Sequence, residues 1–143
     1  TALAEFANGI LGGECRIKWP NDLFVGRRKL GGILVDAVTP PRPAEAWAII
    51  GCGLNYSTPP SGALAGATSL LAEVARLGGV APSFPRFTVA AIDAVWRAVG
   101  STESDWVERY MRFAAHRKGD PIRFMLDEGE VEVITPWKLV APK

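Results

Sequence analysis

A chain of 143 residues, 48% hydrophobic and 22% charged, is long enough for one globular domain, or a domain plus a small appendage, that buries roughly two-thirds of its unfolded surface. Sixteen Lys and Arg against fifteen Asp and Glu leave a formal charge of +1, which excludes a general basic field of the kind that holds nucleic acid or anionic lipid. Cys15 and Cys52 lie in apolar stretches without a CxxC partner or a nearby histidine, which argues against a disulfide framework or a zinc site and for a reducing, cytoplasmic setting. No apolar run approaches the roughly 20 residues of a membrane span, and the first residues lack the order of a signal peptide, so no membrane contact is expected.

Thr1 opens directly onto Ala2, Leu3, Phe6, Ala7 and Ile10, apolar positions at helical spacing, and Gly12 and Gly13 supply the left-handed conformations that end a helix. A chain that starts on a helix is expected to continue from a longer protein upstream. Arg16 to Trp19 reads as a short strand, Pro20-Asn21-Asp22 as a turn, and Leu23 to Val25 as a second strand closing on Gly26-Arg27. A third strand, Leu30 to Val38, contains Gly31 and Gly32, which mark a bulge or a close approach to the backbone. Pro40, Pro41 and Pro43 interrupt the pattern before a fourth strand, Ala46 to Leu54, and the spacing predicts an antiparallel meander.

Asn55 to Thr68 is rich in Pro, Ser and Gly, which suits a ligand-gated loop. Three helical patterns follow: Leu70, Leu71, Val74 and Leu77; then Phe87 to Val99 after Pro85; then Trp106, Val107, Tyr110 and Phe113. These helices are expected to cover one side of the sheet. Ile122 to Leu126 and Val131 to Thr135, joined through Asp127-Glu128-Gly129, predict a C-terminal hairpin. The fold class is α/β (α+β), with a mixed, mostly antiparallel sheet covered by helices.

Chemistry concentrates between Lys18 and Asn55. A turn offering Asn21 and Asp22 beside Lys18 and Lys29 could bind an anion, a metal ion or both, since ammonium groups neutralise phosphate or carboxylate and an aspartate orients a cation. The plainer reading is a surface hairpin with Asn-Asp turn chemistry and solvated lysines. Glycines at 31, 32, 51 and 53 weigh against it: as mere core-strand residues each would cost about 0.5–1 kcal/mol relative to alanine, whereas together they let a flat ligand lie against two strands.

The segments KWPND (residues 18–22), KLGGIL (29–34) and GCGLN (51–55), in this order, resemble the catalytic domain of biotin protein ligases. The likeness runs from about Ala2 to Ala115, and Ala67-Thr68-Ser69-Leu70 also resembles the family's segment after its adenylate loop. It implies an enzyme that joins biotin and ATP, with Mg2+, into biotinyl-5′-adenylate and passes biotin to a lysine of a biotin carboxyl carrier protein domain. By the same resemblance Lys29 and Asp22 are catalytic, and Lys29, Gly31 and Gly32 contact biotin. Lys18, Asn21 and Asn55 line the adenylate side, and Asp22 is the candidate metal ligand. The physics is suitable: biotin carboxylate attacks an α-phosphorus although both partners are anionic, so a fixed cation lowers the repulsion.

The family's glycine- and arginine-rich loop belongs upstream of these motifs and is not in the sequence, so residues 1–117 are expected to form the C-terminal part of a catalytic domain that alone is incomplete and poorly active. Residues 118–143 are expected to be a shortened β domain, with Pro136-Trp137 a remnant of the family's SH3-like barrel. Unpaired strand edges then predict a homo-oligomer. The competing readings are a lipoate-ligase-like acyl-adenylating protein and a catalytically inactive self-associating module. Trp19 reads as core or as a wall of the site, Cys52 as a small buried hydrophobe, and His116 as a solvated helix end.

Overall fold

The computed structural model describes residues 1–38, 47–58, 66–100, 105–116, 120–126 and 129–134. The expectations for Pro40, Pro41, Pro43, Ala46, Asp127, Glu128, Thr135 and Pro136-Trp137 lie outside them.

Helix α1 (Ala2–Leu11) buries Leu3, Ala4, Ala7 and Leu11 along one stripe, and Gly12 and Gly13 end it with φ values of 60° and 93°. Asn8 then treats the chain beyond the turn as a strand partner: its Nδ2 donates to the Cys15 carbonyl at 2.9 Å and its Oδ1 accepts from the Cys15 amide at 2.7 Å. That clamp delivers β1 (Cys15–Lys18) against the helix. Next come β2 (Asp22–Val25), β3 (Arg28–Val38) and β4 (Trp47–Leu54), and the sheet order is β1-β2-β3-β4 with every neighbour antiparallel, the expected meander.

The ladder between β2 and β3 is irregular at one point. Phe24 pairs with Lys29 but Leu23 pairs with Gly31, so Leu30 is an extra residue on β3. The bulge thus sits one position before the two glycines. Without it, Lys29 and Gly32 would point to opposite faces; with it, Leu30 and Gly31 both turn inward and Lys29 and Gly32 share the outer face.

Cys15, Ile17, Leu23, Val25 and Leu30 form the sheet's contribution to the core, which α1 covers. Helices α2 (Leu70–Arg76), α3 (Phe84–Val99) and α4 (Trp106–Phe113) complete the helical layer. Helix α3 packs on α1, with Phe87 against Phe6 at 5.4 Å between ring centroids, and Pro85 sits in its first turn where no amide partner is lost. Helix α4 meets β1, and the Ala115 amide donates to the Ile17 carbonyl at 2.7 Å. A bidentate pair joins α4 to α1: Arg109 Nε and Nη2 reach the two Glu5 carboxylate oxygens at 3.1 and 2.7 Å, and this hydrogen bonding holds the Glu5 carboxyl below its usual range. The expected hairpin is present as β5 (Pro121–Leu126) and β6 (Gly129–Ile134), with Phe124 opposite Val131.

Coverage of the sheet stops near Ile33. Beyond it the outer half of β3 and nearly all of β4 are open, with Leu34 71% and Ile49 60% exposed. Cys52 is therefore exposed rather than the buried hydrophobe its apolar neighbours suggest, because nothing among the described residues packs closely over that strand. Cys15 is the buried thiol, pushed up to about 11 by burial. Helix α3 stands across from β4 over an apolar groove of about 510 Å³.

This division of the sheet makes a stability contrast. Leu23→Ala removes a fully buried side chain and is expected to cost about 2–5 kcal/mol, whereas Leu34→Ala, on the open half, should fall within about 0.5 kcal/mol of wild type. Urea denaturation of the two variants checks both values.

Candidate functional site

On the outer face of the meander the bulge gathers a small polar cluster. Lys29 Nζ lies 2.6 Å from Asp22 Oδ1, and Gly32, paired in register with Asp22, leaves the space between them open. A Cβ placed on Gly32 would stand 2.8 Å from Asp22 Oδ1 and 3.8 Å from Lys29 Cε, so a side chain there would push on the ion pair itself. Asn21 fixes the turn that carries Asp22: its Nδ2 donates to the Ile33 carbonyl at 2.7 Å and its own carbonyl accepts from the Ile33 amide at 2.9 Å. Asn21, Asp22, Lys29, Gly32, Gly51 and Gly53 line an open groove of about 460 Å³, together with Ile33, Leu34 and Cys52. An ammonium at the end of a groove floored by glycines is suited to receiving an anionic group on a flat ligand.

Gly31 serves a different purpose. A Cβ there would run into the Gly53 carbonyl oxygen and Leu54, so β3 and β4 require glycine for their own packing. The structure thus places Gly32, and not Gly31, in the groove. Lys18 is paired in register with Asp22 on the same outer face, and its Nζ lies 5.3 Å from the centre of the Phe24 ring, outside the lining of the groove. Asn55 is committed to the backbone, its Nδ2 donating to the Thr68 carbonyl at 3.0 Å and to the Lys29 carbonyl at 3.5 Å. Trp19 is half exposed, edge-on to Tyr110 at 6.0 Å, which makes it a flank and not core. His116 lies three residues beyond the last residue of α4, partly exposed.

The magnesium implied by the resemblance finds no resident cage: among the described residues no three His, Cys, Asp or Glu side chains gather at one point. Asp22 is a lone carboxylate already paired with an ammonium, too few hard oxygen ligands to hold an ion by itself.

A second layer of polar groups supports Lys29, and its centre is a residue that no local pattern singles out. Glu73, in the first turn of α2, is 1% exposed. Its Oε1 accepts from Thr68 Oγ1 at 2.5 Å, Arg28 Nη2 lies 2.9 Å away, and Arg76 Nε meets Oε2 at 2.8 Å. Burial alone would raise the pKa of this carboxyl, but the Thr68 hydroxyl and the two guanidinium groups outweigh it and hold the value below the ordinary 4.5. An acidic residue in the first helical turn, one arginine three residues on and another in a distant strand form an unremarkable surface pattern until the fold brings them together.

Residues 2–55 match the sequence profile of the Biotin/lipoate A/B protein ligase family. That segment, 54 of the 143 residues, holds all three motifs. The bifunctional ligase/repressor BirA of Escherichia coli K12 is 42% identical over 55 residues, and BirA of Salmonella typhimurium LT2 is equally similar. The alignments span 38% of this chain and 17% of the length of those relatives. Among solved structures, biotin protein ligase from Leishmania major in complex with biotinyl-5-AMP superposes with a TM-score of 0.63 at 15% identity, covering 90% of this chain and 61% of that one. Biotin protein ligase from Aquifex aeolicus in complex with biotin and ATP gives 0.63 at 14%, covering 94% and 65%. Over the part covered, the fold is that of these biotin protein ligases.

Because the folded-state pKa of Glu73 is depressed, the stability it contributes is present above the unfolded carboxylate value near 4.5 and is lost as pH falls through the lower folded value. Glu73→Gln should therefore lower the urea midpoint at pH 7, and the gap from wild type should narrow as pH falls below the ordinary 4.5. A gap of constant size from pH 7 to pH 3 would show that the charge of Glu73 is not what stabilises the fold.

Proposed function

We propose that this chain contributes the Lys29 side of a biotin protein ligase active site, where biotin carboxylate attacks the α-phosphorus of ATP to form biotinyl-5′-adenylate and release pyrophosphate. The amine of a carrier-domain lysine then attacks the acyl carbon, forming the amide and releasing AMP. The observation that supports this best is the Lys29 ammonium held beside Asp22 and over Gly32 in the glycine-floored groove. An ammonium so placed offsets the repulsion between carboxylate and phosphate and steadies the charge that develops between them.

In this reading Asp22 fixes the ammonium until an anion arrives, and Gly32 offers backbone to the ligand where any side chain would obstruct it. Magnesium belongs to the nucleotide, with Asp22 as at most one protein ligand. Residues 1–117 act as the catalytic unit and 118–143 as a separate β unit. Biotin is preferred over lipoate as the acyl group because the solved structures of similar fold are biotin protein ligases in complex with biotinyl-5-AMP or with biotin and ATP, although the family profile spans both kinds of ligase. In single-turnover adenylation by a complemented or full-length version, Lys29→Ala is expected to slow the chemical step about 100-fold or more, while Lys18→Ala stays within about five-fold. Equal losses would show that the two lysines share the charge and that the assignment is wrong.

Self-association is the second part of the proposal. Strand β4 ends the sheet, so its outer backbone groups have no ladder partner among the described residues, and Val35 and Ile49 lie exposed beside that edge. Pairing of two copies along β4 would satisfy both needs. Light scattering at micromolar concentration should then give a mass above the 15.3 kDa of one chain; a clean monomer with cooperative thermal unfolding would contradict it.

A further inference from the structure

The backbone of Lys29 is held in an unusual way. Its neighbours further along β3 are paired with β4, from Gly31 to Val38, but β4 ends at Leu54 and leaves the start of β3 without that partner. The chain turns away at Asn55, whose amide makes the last contact, donating to the Leu30 carbonyl at 2.9 Å. Residues 66–68 return to take the vacant place: the Lys29 amide donates to the Gly66 carbonyl at 2.8 Å, and the Thr68 amide donates to the Lys29 carbonyl at 2.8 Å, a short parallel bridge centred on Ala67. Both backbone polar groups of Lys29 are therefore bonded to the segment 66–68, the carbonyl through Thr68 with Asn55 Nδ2 beside it and the amide through Gly66, two residues before the threonine.

Thr68 is in turn fixed by Glu73. The threonine is 3% exposed and its hydroxyl donates to a carboxylate that is itself buried and balanced by Arg28 and Arg76. Arg28 immediately precedes Lys29, so Glu73 grips the chain twice: through the guanidinium one residue before the lysine, and through the Thr68 backbone at the lysine itself. Charge-assisted hydrogen bonds of this kind are among the stronger and more directional ones available inside a protein.

We propose that Glu73, acting through the Thr68 hydroxyl, is a positioning residue that sets the backbone of Lys29 and so the reach of its ammonium into the groove. The functional half of this statement rests on the ligase reading; the positional half does not. Thr68→Val keeps the shape of the side chain and removes its hydroxyl, and Thr68→Ser restores it. Asn8→Ala, which breaks the clamp between α1 and β1 far from the groove, serves as a control for general loss of stability.

Two measurements on the full chain decide the matter: amide hydrogen exchange at Lys29 and Thr68, and calorimetric titration with biotinyl-5′-AMP. Thr68→Val and Glu73→Gln should speed exchange at these two amides about ten-fold or more, with β1 and β2 unchanged, and should weaken binding by a similar factor. Thr68→Ser and Asn8→Ala should leave both quantities within about three-fold of wild type. Unchanged exchange at Lys29 in Thr68→Val overturns the proposal, as does loosened exchange with undiminished binding, and as does a loss in Asn8→Ala equal to that in Thr68→Val. Should wild type fail to bind the adenylate at all, the ligase reading fails, while exchange at Lys29 still decides whether Glu73 and Thr68 position it.

Discussion

A single residue of excess on β3 organises the face on which the polar cluster lies. Strand parity is strict: residues three apart point to opposite sides, and Lys29 and Gly32 are three apart. Because Leu30 is not matched on β2, parity is reset between them, and the ammonium, the glycine and the Asp22 carboxylate come to one side while Leu30 joins the core. Leu30 is almost fully buried, so the bulge is held by apolar burial and not by the polar groups it exposes. The core on one face thereby maintains the geometry of the other.

The rest of the cluster follows from making this reset tolerable. A bulge disturbs the hydrogen-bond ladder, and the start of β3 needs other partners for its amides and carbonyls. The Asn55 amide, the Gly66 carbonyl and the Thr68 amide provide them, and a buried carboxylate with two guanidinium groups holds the providing segment still. Burying Glu73 would be costly alone; hydrogen bonds and opposite charge on both oxygens make it acceptable. The polar layer behind Lys29 is thus the complement of the apolar layer beneath it.

How much of this is legible in the sequence depends on whether a residue's role lies in its own neighbourhood or in a distant partner. Helix α1 with its glycine stop, the meander, and the helices after Pro85 and Trp106 are written in local periodicity and punctuation, and they form where expected. So does the approach of Asp22 and Lys29, which flank one short hairpin. The position of the bulge is visible only to within a residue, since two glycines advertise the distortion while Leu30 carries it. Glu73 is not legible at all, because burial of a helix-start carboxylate is decided by Arg28, 45 residues away. Cys52 misleads for the converse reason: Ile49 and Ile50 make its neighbourhood look like a core strand, yet no element among those described packs closely over it. Asn55, expected to face a nucleotide, spends its side-chain amide on two backbone carbonyls.

Strand β4 divides its side chains between two spaces. Ala48, Ile50, Cys52 and Leu54 turn toward α3 and the apolar groove, while Gly51 and Gly53 floor the polar one. An extended chain has no thickness with which to insulate one face from the other, and glycines give it little lateral stiffness. Cys52 lines both spaces, so its side chain forms part of the wall of each. The two hollows therefore share a partition one strand thick.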